Sequence, residues 1–89
     1  MAALANPGYS FYVAVTPSDT ANVYIPPGRT RAVFDALYIG GSGDVVIVGE
    51  NNVATTFVGA IAGTILPIAG KRVNSGSTSA TDIVALFAV

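Results

Sequence analysis

Apolar residues along this chain come in short runs, each closed by residues that favour turns. Residues 9–15 are aromatic and β-branched, and Thr16-Pro17-Ser18-Asp19 ends them. A second run, 21–25, stops at Pro26-Pro27-Gly28, which neither continues a strand ladder nor enters a helix. The third, 31–39, ends in Gly40-Gly41-Ser42-Gly43, which reads as a hairpin loop. The fourth, 44–48, ends in Gly49-Glu50-Asn51-Asn52, hairpin chemistry because Gly and Asn tolerate positive φ. Runs 53–58 and 64–68 follow, then a short 70–74 and a final 82–89. Strands at intervals of about 8–12 residues, with turn chemistry between them, predict a sandwich or barrel. No segment keeps a helical period of useful length; 58–65 suits one helical turn, and Gly59 and Gly63 weaken even that. The expectation is an all-β chain. It has an N-terminal arm over 1–8 and a small antiparallel β-sandwich over 9–89, jelly-roll or Greek-key like, with about 7–8 short strands.

Alternation within the runs adds an interface. In 31–39 one parity reads Ala32, Phe34, Ala36, Tyr38 and the other Arg31, Val33, Asp35, Leu37, Ile39. In 82–89, Ile83, Ala85, Phe87 and Val89 alternate with Asp82, Val84, Leu86 and Ala88. A strand in a solvated sandwich shows one polar face. Here the second parity is half apolar in both runs, and so short a chain has little left to cover it. The candidate interface residues are Tyr9, Phe11, Val33, Leu37, Ile39, Val84, Leu86 and Phe87. Residues 1–8 are small and apolar, and suit either a frayed tail or an arm that completes a neighbour's edge strand.

Composition strengthens that reading. Of 89 residues, 52% are hydrophobic and only 10% charged, against about 25% charged in an ordinary soluble domain. Small domains usually need a disulfide, a metal or a partner subunit. There is no Cys and no His, so disulfide, zinc and iron–sulfur staples are excluded. No closely spaced Asp/Asn series suggests calcium either, and no cofactor is expected. Subunit contacts remain. A net charge of −1 with four Lys/Arg makes no basic face for nucleic acid. The uncharged stretch 51–70 is long enough to span a bilayer as a helix, but Asn51, Asn52, Gly59, Gly63 and Pro67 break it, so no membrane span is expected. Residues 1–8 lack the features of a secretory signal, which points to a protein made in a cytoplasm.

Catalysis finds few candidates. Ser-His and Cys-His nucleophiles are ruled out by composition. Asp19, Asp35, Asp44, Glu50 and Asp82 are the carboxylates, placed in turns or at strand starts where turn caps and ion pairs are the commoner use. Gly40-Gly41-Ser42-Gly43-Asp44 lacks the Lys-Ser/Thr that a phosphate loop needs. Lys71-Arg72 and the Arg29/Arg31 pair read as solvated charges that guard an edge. The four Tyr residues, 9, 12, 24 and 38, suit a core, an interface or a sugar-stacking platform. No enzyme is expected.

Several linked segments resemble small virion proteins of tailed phages and gene transfer agents. They are Asp35-Ala36-Leu37-Tyr38-Ile39-Gly40-Gly41-Ser42-Gly43-Asp44-Val45-Val46-Ile47-Val48, Ala62-Gly63-Thr64-Ile65-Leu66-Pro67-Ile68, Lys71-Arg72-Val73-Asn74 and Thr78-Ser79-Ala80-Thr81-Asp82-Ile83-Val84-Ala85-Leu86. The similarity is to the spike-base type, β-rich proteins outside the head. It implies a subunit of a homo-oligomer, a trimer or pentamer matched to local symmetry. That subunit would be seated on the major capsid protein at the head surface as a decoration (cement) or spike-base protein, and assembled in the host cytoplasm. A tail or baseplate component and a carbohydrate-binding module are the alternative readings.

Overall fold

The computed structural model describes residues 9–29 and 31–88. They form β1 (Phe11–Ala14), β2 (Ala36–Gly41), β3 (Gly43–Val48), β4 (Ala54–Ala60), β5 (Thr64–Leu66), β6 (Arg72–Val73) and β7 (Thr81–Phe87). No helix occurs among the described residues. The strands make two antiparallel sheets, ordered β1-β7-β2-β5 and β4-β3-β6. This is the small all-β sandwich that the turn spacing predicts. The arm expected at 1–8 lies outside the described residues.

Pairing register decides which parity faces inward. Leu37 lies opposite both Ala85 and Leu66, and Val13 also lies opposite Ala85. Directly opposed residues share a face, so these point together towards Val45, Ile47 and Val73 of the other sheet. Phe34, Leu37, Ile39, Val45, Ala85 and Phe87 are wholly buried there. Each large side chain among them contributes roughly 1.5–3 kcal/mol by leaving water.

Connections β2–β3, β4–β5, β5–β6 and β6–β7 all cross between the sheets. The glycine run therefore forms a corner, where a hairpin loop was expected. β2 ends at Gly41 in one sheet and β3 begins at Gly43 in the other. Backbones approach closely there. A Cβ on Gly43 would lie 2.5 Å from the Ala80 nitrogen, and one on Gly40 would lie 2.6 Å from the Asp82 Cβ. A hairpin does form at Gly49–Asn52, where Asn52 takes φ 63 and its N–H donates to the Gly49 carbonyl at 3.0 Å.

Two further expectations change. Residues 21–25 are not a strand; they run beside β6, with one ladder-like bond from the Val23 N–H to the Lys71 carbonyl (2.9 Å). The run 31–39 enters its sheet only at Ala36. Before that, Phe34 bridges to Gly70 and ties the two sheets at one seam.

Candidate protein-docking face

The outward side of the four-stranded sheet is built from the residues that alternate with the core set. Tyr12 opposes Leu86, Ala14 opposes Val84, and Tyr38 opposes both Val84 and Ile65. Ala36 lies opposite Leu86 on the same side. Tyr9, just before β1, joins Tyr12, Tyr38, Ile65, Val84 and Leu86 around a shallow open groove of about 350 Å³. Tyr12 is 63% exposed, Ile65 48% and Tyr38 38%. Across all four strands the only charged residue is Asp82, near the start of β7. An exposed sheet face that is aromatic and aliphatic without a charge is what protein interfaces look like at their centre.

The sequence-derived interface residues divide on this frame. Tyr9, Val84 and Leu86 line the outward groove, Leu86 itself only 7% exposed. Val33, Leu37, Ile39 and Phe87 are buried within the chain itself, at 2% exposure or less. Reading them as interface residues is corrected for a simple reason. In β2 both parities are apolar, and the register with β7 turns Leu37 and Ile39 inward while Tyr38 faces out. Phe11 is exposed at the sheet edge and sets its ring edge-on against Phe87, centroids 5.9 Å apart. Tyr12, Tyr38 and Ile65 were missed. Tyr38 sits in a run whose alternation was already visible, but nothing local says which parity is outside.

Charged groups are tied to the chain's own structure. Arg29 donates to Asp35 Oδ1 at 2.8 Å and lies 5.0 Å from the Phe87 ring centroid. Its Nε has no hydrogen-bond partner among the described residues, so Asp35 is its anchor. Arg29 is thus mostly buried, not the solvated charge expected. Asp35 also accepts the Ala88 N–H at 2.8 Å. Asp44 Oδ1 accepts the Gly59 N–H at 3.0 Å. Asp19 Oδ1 accepts the N–H groups of Ser75 and Gly76, both at 3.0 Å, and these hold its carboxyl below its ordinary value, the Gly76 bond most strongly. Glu50 takes a two-point contact from Arg31, which lowers the Glu50 pKa and raises that of Arg31. Lys71 Nζ donates to Asn52 Oδ1. Four of the five carboxylates thus serve as backbone caps or ion pairs. Asp82 takes φ 53 opposite Gly40.

A sugar platform needs directional polar groups beside its rings. The groove offers only tyrosine hydroxyls, so its chemistry suits an apolar protein surface better than a glycan.

No protein-family model matches the chain, and no curated protein matches it. Among solved structures, a chain from "Capsid of native GTA particle computed with C5 symmetry" is 28% identical. The match covers 88% of this chain and 82% of the other, with a TM-score of 0.70. Over most of its length, then, this chain is a small antiparallel β-sandwich similar in fold and sequence to a chain of a gene transfer agent capsid.

Proposed function

We propose that the chain is a non-enzymatic structural subunit of a phage-type or gene-transfer-agent particle. It seats on the head surface through the outward face of its four-stranded sheet, as a decoration or spike-base subunit. The observation that carries this is the uncharged aromatic face, set on a fold similar to a chain of a particle capsid. Burying such a face against major capsid protein removes apolar surface from water at roughly 25 cal/mol per Å², and no charge on it has to be desolvated. Many copies arranged as trimers or pentamers on local symmetry axes would follow from that seat.

The test is attachment. Purified protein, mixed with cognate particles that lack it, should sediment with the heads in stoichiometric amounts. In intact particles it should map to the head surface. Protein that stays in the supernatant with both mature and expanded heads contradicts the seat; protein that maps to the tail favours a tail or baseplate component instead.

A further inference from the structure

Sheet edges separate into guarded and bare. β6 has residues 18–23 along its open side, with the Ser18 N–H on the Val73 carbonyl (2.8 Å) and the Val23 N–H on the Lys71 carbonyl (2.9 Å). β5 is three residues long with Pro67 following it, and β1, the remaining edge, is only four residues long. β4 is different. It spans seven residues, Ala-Thr-Thr-Phe-Val-Gly-Ala, pairs only with β3 among the described residues, and contains no charge and no proline. Its register with β3 shifts beyond Phe57, where Gly59 takes φ 75, so its regular edge is 54–58. Proteins ordinarily blunt such an edge with Lys, Pro, a bulge or a covering segment, because its free N–H and C=O groups template another strand. In β4 the only such device among the described residues is the irregularity at Gly59, beyond the regular part of the edge.

The free groups can be named. Val46 and Val48 turn their backbone towards β6: their carbonyls accept from Asn74 and Lys71, and the Val46 N–H donates to Thr78 Oγ1. Antiparallel strands alternate, so Val45 and Ile47 turn to β4, where they oppose Phe57 and Thr55. Thr56 and Val58 therefore present N–H and C=O to the open side. Val58 is 80% exposed and nearby Ile61 65%. Phe57, Val58, Ile61 and Leu66 line an open groove of about 300 Å³ beside the strand.

We propose that this edge is a two-fold contact between copies, in which β4 of a second protomer pairs antiparallel with β4 about Phe57. The spacing is self-complementary. With Phe57 on the axis, Thr56 opposes the partner's Val58 and Val58 opposes the partner's Thr56. Both are pairs of outward-facing residues, so each exchanges two N–H···O bonds. Phe57 meets its own counterpart as a non-hydrogen-bonded pair, the closer kind, with Cα atoms about 4.5 Å apart. No charge on either strand opposes the approach. The two three-stranded sheets become one six-stranded sheet, and each copy's Val58 packs beside the other's Thr56. The contact lies apart from the aromatic face, so it joins copies that are each already seated.

Light scattering with native mass spectrometry tests this on the isolated protein. Thr56→Pro removes an N–H that the β3 ladder does not use, and Val58→Lys adds a charge on an exposed side chain. Each should halve the wild-type mass while leaving the far-ultraviolet dichroism unchanged. Since the chain has no cysteine, Phe57→Cys should form an intermolecular disulfide, the Cα spacing falling within the range a disulfide spans. Thr55→Cys should not. A wild-type protein that is monomeric at 100 µM (roughly a hundred times a 1 µM Kd) overturns the proposal, as does a mass that both variants leave unchanged. Cross-linking of Thr55→Cys as fast as Phe57→Cys overturns the register. Loss of the dimer on deleting residues 1–8 overturns β4 as the occupant in favour of the arm.

Discussion

Two regions of the molecule treat polarity in opposite ways. At turns and strand ends, Arg29, Asp35, Asp19, Asp44, Arg31 and Glu50 each bond to the backbone or to one another. On the outward side of the four-stranded sheet, Tyr9, Tyr12, Tyr38, Ile65, Val84 and Leu86 form a continuous apolar surface. The difference teaches where stability ends and association begins. The few charges close turns and pin distant backbone, so they hold the fold. The exposed part of the apolar face, Tyr12, Tyr38 and Ile65 above all, releases its free energy only against another surface.

Mutations should separate the two regions cleanly. The largest effect is expected on attachment. Tyr12→Lys with Tyr38→Lys places two charges on the face and should weaken binding to heads by 100-fold or more, about 3 kcal/mol, since buried interface aromatics often contribute 2 kcal/mol or more each. Thermal unfolding of that variant should move by only a few degrees. Next comes Asp35→Ala, which strips Arg29 of its anchor and the Ala88 N–H of its acceptor. Breaking a largely buried pair should cost about 2–3 kcal/mol, lowering the unfolding midpoint by roughly 10–20 °C. Below that midpoint, attachment should be unchanged.

Acid sharpens the contrast further. Asp19 has a folded pKa below its ordinary 3.8, so the unfolded chain binds its proton first. Its contribution is fully present above 3.8 and is lost as pH falls through the folded value. Asp19→Asn should therefore lower the unfolding midpoint at neutral pH and converge with the parent in strong acid, read by melting curves across the acid range. The smallest effect belongs to Arg31→Ala, whose exposed pair with Glu50 should change the melting midpoint barely at all, and less still at high salt.

Sequence made the class of fold legible because turn chemistry is local. Pro26-Pro27-Gly28 and Gly49–Asn52 declare themselves without any tertiary partner. The face was only half legible. Leu37 and Tyr38 are adjacent, both apolar, and a one-residue choice of register exchanges their roles; β7, some 45 residues on, makes that choice. Gly40–Gly43 looked like a hairpin for the same reason. Its close neighbours are Ala80 and Asp82, which the local sequence does not reveal. Asp35 could be read as structural, yet its bond to Ala88 spans 53 positions.

Tyr12 and Tyr24 give the most direct measurement. They are 63% and 61% exposed in the free chain; one lies on the aromatic face, the other in the segment beside β6 in the opposite sheet. Hydroxyl-radical footprinting should label both similarly in free protein. In assembled particles Tyr12 should become protected several-fold while Tyr24 stays reactive. Equal labelling of the two in the particle would contradict a docked aromatic face.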